Sequence, residues 1–316
     1  MELNKIIESI YNKYLPMVGV GKVADYIPTL ANINPNQYAI SVACVNGESY
    51  NIGDTSEKFT IQSVSKVLTL AMVAPEMGDK LWKSVGREPS GNSFNSLIQL
   101  ERECGIPRNP FINAGALVVT DRLLSCSKNP ESELFRSTRA TVKEEILEFV
   151  RELAGCKDIE YDEITAQAEI LTAERNYALA HFMKSFNNIE NSVQDLINTY
   201  CHQCSIAMNT MQLSKAFLFL ANGGINPANG KRILDSRNVK RINALMLVCG
   251  LYNGSGDFAY RVGLPGKSGV GGVIVAVIPG KLSIAVWSPE LDNNGNSYRG
   301  ICTLEDFTTE LGISVF

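Results

Sequence analysis

Histidine is nearly absent: the 316 residues hold only His181 and His202. Ser-His-Asp and Cys-His catalysis both need an imidazole set against the nucleophile. His181 lies in ALAHFMKSF, a helical pattern, and no Gly-x-Ser-x-Gly elbow occurs. Nucleophilic hydrolysis here would need another base, and lysine is the natural candidate. Excess positive charge is missing too. With 29 Lys and Arg against 33 Asp and Glu, the net charge of −4 argues against nucleic acid as a partner. No apolar run approaches the roughly 18 residues that span a bilayer, so no membrane partner is expected. The opening MELNKIIESIYNKYL is amphipathic and lacks the order of an export signal. The expectation is a cytoplasmic protein whose thiols stay reduced.

The eight cysteines are scattered, and only Cys201 and Cys204 lie close together, as Cys-His-Gln-Cys. Zinc would need a second pair or suitably spaced histidines. A redox motif would follow a strand and open a helix, whereas DLINTY before Cys201 reads as the end of one. A buried structural pair is expected, and no metal.

What is present is an ordinary globular composition, 45% apolar and 20% charged, without repeats, low-complexity tracts or linker. Residues 3–14 form an amphipathic helix. Residues 38–45, Asn46-Gly47 and a run to Ile52 form a hairpin with a two-residue turn. A long apolar helix is predicted over 63–78, broken near Pro75 and Gly78, and helical signals continue to about 225. TVKEEILEFVRELAG has 3-4 spacing and ends on a glycine cap. Two β-rich runs then follow, Val273–Ile278 and Leu282–Trp287, before a closing helix in CTLEDFTTELG. Strands at both ends around a helical middle predict an α+β fold, the two ends sharing an antiparallel sheet with flanking helices. The whole chain, 1–316, reads as one domain with two lobes. The sheet lobe takes about 1–60 and 226–316, and a mainly helical lobe takes about 61–225.

Gln62-Ser63-Val64-Ser65-Lys66 contains Ser-x-x-Lys. Positions i and i+3 share a helix face, so Lys66 would approach the Ser63 hydroxyl. A serine is a poor nucleophile until a base takes its proton, and a lysine with a depressed pKa can do so. The pattern alone is weak, because Ser125-Cys126-Ser127-Lys128 also fits it. Context separates the two. Ser125 ends a helical run before Asn129-Pro130, whereas Ser63 follows the extended FTIQ and opens the most apolar helix. The bland alternative remains a helix cap at Ser63 and a surface lysine.

Lys267-Ser268-Gly269 precedes the strand starting at Val273. Lys-Thr-Gly before a strand, paired with a Ser-x-x-Lys helix, is the arrangement of serine β-lactamases and penicillin-binding proteins. Lys267 would supply the second cation. Gly269, Gly271 and Gly272 would let substrate approach the backbone, or else form only a glycine-rich turn.

Several further segments carry a wider resemblance: ADYIPTLA (24–31), QSVSK (62–66), NPFINAGAL (109–117), ERNYALA (174–180) and QCSI (203–206). It continues through LANGG (220–224), GLYNGSGDFAYRVGLPGKSGVGG (250–272) and WSPELDNNGNSYRG (287–300). Over about 20–312 the chain resembles the glutaminase family, which shares the β-lactamase-like fold. The resemblance implies hydrolysis of the side-chain amide of L-glutamine, with Ser63 as nucleophile and Lys66 as its partner. It implies Tyr26 and Tyr252 as catalytic tyrosines. It implies Gln62, Asn113, Glu169, Asn176, Tyr200, Tyr252 and the Val270 backbone around the substrate, with Lys267 contributing from behind. Glu169 is placed by counting seven residues back from Asn176. No cofactor is implied, and a homo-oligomer, dimer or tetramer, is.

These residue types suit a free amino acid. A carboxylate would meet the α-ammonium, amides and a phenol the α-carboxylate, and two backbone N–H groups the oxyanion. Each also has an ordinary alternative: Asn113 and Asn176 as helix caps, the tyrosines as core-edge residues, Glu169 as a solvated charge. Two other functions compete, a β-lactam-reactive acyl-enzyme and an amino-acid sensor without turnover.

Overall fold

The computed structural model describes residues 3–90, 97–132, 134–135 and 140–316. The chain opens with α1 (Leu3–Tyr14), in which Ile6, Ile7, Ile10 and Tyr14 form a buried stripe at helical spacing. Strands β1 (Ala39–Cys44) and β2 (Ser49–Gly53) then pair as an antiparallel hairpin. Its loop has three residues, Val45 to Gly47, rather than the two expected. Cys44 N–H donates to Glu48 C=O at 2.9 Å, and Gly47 closes the turn at φ 93°. A left-handed glycine ending a three-residue loop is the next commonest hairpin closure after the two-residue turn.

After β3 (Phe59–Thr60), residues Gln62–Val64 make one tight turn and α2 (Ser65–Met77) begins. The helix predicted from residue 63 therefore starts two residues later. Gln62 adopts φ 50°, left-handed and so outside the helix, and Val64 N–H closes back on Ile61 C=O at 3.0 Å. Next come α3 (Leu97–Arg102), α4 (Asn113–Ser127), α5 (Val142–Ala154), β4 (Glu160–Tyr161), α6 (Glu163–Leu171) and α7 (Glu174–Ser185). They are followed by α8 (Val193–Cys204), β5 (Ile206–Met208), α9 (Thr210–Ala221), α10 (Ser236–Cys249) and α11 (Ser255–Arg261). The chain ends with β6 (Gly266–Gly269), β7 (Val273–Ile278), β8 (Leu282–Trp287) and α12 (Tyr298–Leu311). Helix α5 begins with a Thr141–Glu144 capping box and ends on left-handed Gly155, the cap its sequence predicted.

Five strands form one antiparallel sheet in the order β2-β1-β8-β7-β6, so both ends of the chain share a sheet as expected of the α+β pattern. Strands β7 and β8 are buried along their whole length. Side chains alternate between faces, and helices cover both. Val273, Val275, Val277, Ala285 and Trp287 join the core containing α2, α4, α8 and α9. Ile274, Ala276, Ile278, Ile284 and Val286 pack with α1, α11 and α12. Burial on both faces explains why these strands read as unbroken apolar runs. A second sheet, β3-β5-β4, ties the approach to Ser63 to the loop after α8. Among the described residues, no helix is long and apolar enough to cross a membrane.

Candidate active site

A small cavity of about 110 Å³ opens where the Gln62 turn, α4, α6, α7, α8 and the β6–β7 turn meet. Tyr26, Gln62, Ser63, Asn113, Glu169, Asn176, Tyr200, Tyr252 and Val270 all line it. These nine of the eleven residues named from the sequence come from segments up to 244 positions apart. Lys66 and Lys267 lie directly behind the wall. Two larger clefts, of about 560 and 630 Å³, contain no comparable convergence of carboxylate, hydroxyl and amide groups. The cavity's size suits an occupant no larger than an amino acid.

Ser63 is 8% exposed on the tight turn, and Lys66 is buried in the first turn of α2. The Ser63 hydroxyl hydrogen-bonds the Tyr252 phenol. The Lys66 amine donates to Asn113 Oδ1 at 2.8 Å and to Phe111 C=O at 3.1 Å. Burial lowers the Lys66 pKa to about 8, partly opposed by Cys204 and Glu169. A sizeable neutral fraction near neutrality is what a base needs. Burial also raises the Tyr252 phenol well above its ordinary range, so it stays protonated.

Asn113 is the first residue of α4, but it does not cap that helix. Asn109 Oδ1 accepts the Phe111 and Ile112 N–H groups at 3.0 and 3.1 Å instead. The Asn113 side chain turns to the cavity, donating to Asn176 Oδ1 at 3.1 Å and accepting from Tyr200 Oη at 3.4 Å. Nor is Glu169 a solvated charge. Its carboxylate accepts from Gln62 Nε2 at 2.7 Å, and the same Gln62 nitrogen reaches Thr60 Oγ1 at 3.1 Å. Burial raises the Glu169 pKa to about 7, against the lowering effects of Gln62 and Lys66. Tyr26 stands at the mouth with 57% of its surface exposed.

Lys267 is fully buried and holds Gly250 C=O at 2.8 Å and Ser268 C=O at 2.7 Å. Its nitrogen lies 4.3 Å from the centre of the Tyr252 ring. Burial, followed by the charge of Lys66, pushes its pKa well down. Tyr252 itself has φ 53°, a costly conformation for a non-glycine residue. Lys267 thus braces the strained turn presenting Tyr252.

The decoy is explained by its partners. Ser125 donates to Glu190 Oε2 at 2.5 Å, and Lys128 donates to Asn191 Oδ1 at 2.5 Å, both outside the cavity. Of the two readings of the three glycines, the structure shows the glycine-rich turn, closed by Gly272 N–H on Gly269 C=O at 2.9 Å. A Cβ on Gly269 or Gly271 would strike Ile61 or Thr60 carbonyl oxygen at 2.6 or 2.7 Å. On Gly272 it would lie 2.5 Å from Ser288 O and Pro289 Cα. They permit close approach of this chain's own backbone.

Ile27, Thr172, Ala173 and Cys204 also line the cavity and were not named as site residues from the sequence, where Cys204 was read only as half of a buried structural pair. Cys204 lies one helical turn beyond Tyr200 on α8, and that i, i+4 relation was the available signal. Burial pushes its thiol up to about 12, so it is an inert wall rather than a nucleophile.

Fold and cavity together define a class: an α+β protein enclosing a serine, a buried lysine and a half-buried carboxylate in space for one amino acid. A family model described as glutaminase matches residues 21–316. A glutaminase of Agrobacterium fabrum is 51% identical over 315 residues, spanning 100% of this chain and 99% of that one. Among solved structures, the probable glutaminase ybaS superposes with a TM-score of 0.91 at 37% identity, covering 99% of this chain and 98% of the other. A probable glutaminase from Bacillus subtilis, solved in complex with 6-diazo-5-oxo-L-norleucine, matches with a TM-score of 0.84 at 31% identity, covering 99% and 96%. The chain belongs to the glutaminase family and is a hydrolase acting on the glutamine amide.

Proposed function

We propose that the chain hydrolyses L-glutamine to L-glutamate and ammonia through a glutamyl ester on Ser63. The observation that carries this is the convergence of Ser63, Tyr252, Asn113 and Glu169 on one amino-acid-sized cavity, with Lys66 behind it. Glu169 takes the α-ammonium, and Asn113, Asn176 and Tyr200 take the α-carboxylate. The side-chain carbonyl then lies over Ser63, its oxygen between the Ser63 and Val270 N–H groups. Neutral Lys66 receives the serine proton as Ser63 Oγ bonds to the amide carbon. Tyr252 relays that proton from Lys66 to the nitrogen as the C–N bond breaks and ammonia leaves, and so remains a phenol. Water attacks the ester in the reverse sense, restoring Ser63 and releasing glutamate. Tyr26, at the mouth, closes over the bound amino acid.

Purified protein given glutamine, asparagine and a chromogenic β-lactam in parallel tests this. Equal molar yields of ammonia and glutamate from glutamine are expected. Glutamine binding without turnover would make the protein a sensor, and covalent β-lactam labelling without ammonia would make it another acyl-enzyme.

Two further outcomes follow from the buried charges. Glu169→Gln should raise KM for glutamine about 10- to 100-fold, the worth of one charge-assisted hydrogen bond, and change kcat much less. An unchanged KM would assign the ammonium to another acid. Glu169 and Lys66 must both be deprotonated, with pKa values near 7 and 8. Log kcat/KM should therefore rise with a slope approaching 2 below pH 7, bend towards 1, and level off above about pH 8. Glu169→Gln should reduce the steep limb to slope 1, and a flat profile over pH 6–8 would contradict both assignments.

A further inference from the structure

We propose that Gly269 and Gly271, with Trp287 behind them, are positioning residues that clamp the Val270 N–H beside Ser63. The inference rests on the acyl-enzyme reading above, in which that N–H is half of the oxyanion site. The β6–β7 turn is closed by Gly272 N–H donating to Gly269 C=O at 2.9 Å, with Val270 and Gly271 at its tip. It lies directly on the segment leading into the nucleophile. A Cβ on Gly269 would sit 2.6 Å from Ile61 O and 3.4 Å from Gln62 Cβ, and one on Gly271 would sit 2.7 Å from Thr60 O. Gly269 and Gly271 are not among the glycines with positive φ. Their need is therefore not conformational freedom but contact between two backbones.

Trp287 joins the two sides of this contact. Its Nε1–H donates to Gly271 C=O at 2.9 Å, and its ring stacks on Phe59 of β3 with centroids 4.7 Å apart. The turn also covers Gln62, whose φ of 50° persists only if its surroundings hold it there. The clamp therefore sets the spacing between two peptide N–H groups from opposite ends of the chain. Oxyanion donors act at about 2.7–3.1 Å from the developing charge, a tolerance of only a few tenths of an ångström. A single methyl group in this contact would push Val270 outward by about that distance, whereas Asn113, Asn176 and Tyr200 lie on α4, α7 and α8, outside it.

The test is steady-state glutamine hydrolysis by Gly269→Ala, Gly271→Ala and Trp287→Phe, with Gly256→Ala as control because a Cβ there meets nothing within 4 Å. The glycine variants should lose about 10²- to 10³-fold in kcat, the scale of one lost oxyanion donor, with KM within about twofold. Trp287→Phe keeps the stacking and removes only the hydrogen bond, so a loss of about 5- to 10-fold in kcat is expected. Affinity for a tetrahedral phosphonate analogue of the glutamine side chain should fall in parallel with kcat, while glutamate inhibition stays unchanged. A merely structural role would not separate these two. Wild-type kcat in both glycine variants overturns the clamp. If the glycine variants do not fold, unchanged kcat and phosphonate affinity in Trp287→Phe overturn it. Wild-type protein that releases no ammonia overturns the acyl-enzyme reading, and the clamp with it.

Discussion

Ser63→Ala is expected to lower ammonia release from glutamine by at least about 10³-fold while the protein stays folded and still binds glutamate. The serine is small, sits on a tight turn at the cavity wall, and its hydroxyl meets Tyr252. Removing one oxygen there leaves no large void, so a shift in Tm beyond a few degrees is not expected. The proposed ammonium and carboxylate partners come from α4, α6, α7 and α8, so glutamate affinity should stay within a few-fold of wild type. Ser125→Ala and Lys128→Ala should leave the rate unchanged, since both residues serve only the loop before α8. Ammonia release by Ser63→Ala at the wild-type rate would remove the nucleophile from its role. Its loss in the Ser125 variant would mean that the other Ser-x-x-Lys carries the chemistry.

Lys66→Met should abolish turnover to a similar degree, about 10²- to 10⁴-fold, by removing the base. Its effect on stability should have the opposite sign. The buried amine titrates near pH 8 in the folded protein, against about 10.4 in an unfolded chain. A lysine with a depressed folded pKa disfavours folding fully below the folded value and not at all above the unfolded one. That difference corresponds to roughly 3 kcal/mol at pH 7, fading as pH rises from 8 to 10.4. Methionine fills similar volume without a charge. The variant loses two hydrogen bonds, to Asn113 and Phe111, yet should be at least as stable as wild type at pH 7 and lose that advantage by pH 10. Denaturant titrations at the two pH values measure this directly. Lys66→Arg should not rescue activity, because a guanidinium cannot give up its proton here. A Lys66→Met protein with full activity, or one strongly destabilised at pH 7, would contradict a buried, functionally placed base.

This opposition between activity and stability explains which parts of the site were legible beforehand. Functional sites break local rules, and some breaks are visible in the residues themselves. A lysine three residues from a serine in an otherwise apolar helix is one, and a Lys-Ser-Gly ahead of a valine-rich strand is another. Scarcity of histidine was equally legible, because it narrowed the choice of base before any contact was known. Resemblance named Glu169 and Asn176, but nothing in their neighbourhoods told a cavity wall from a solvated helix face. That depended on Gln62 reaching across 107 positions to Glu169, and on Asn109 relieving Asn113 of capping.

By itself, the sequence determined the α+β class, the hairpin, the two C-terminal strands and the capped α5, and it offered Ser63 with Lys66 as a candidate pair. These follow from period, composition and short spacing, all local properties. Tertiary structure alone decided that Ser63 sits on a tight turn before α2, not on the helix itself. It also decided that Lys66 bonds Asn113 while Tyr252 meets the serine, and that Lys267 braces Tyr252 from behind. It also set Gly269 and Gly271 of the glycine-rich turn against the backbone of Ile61 and Thr60. The physical reason is common to all of these. A left-handed Gln62 or Tyr252 and a buried amine are unfavourable locally, and only packing from distant segments holds them in place.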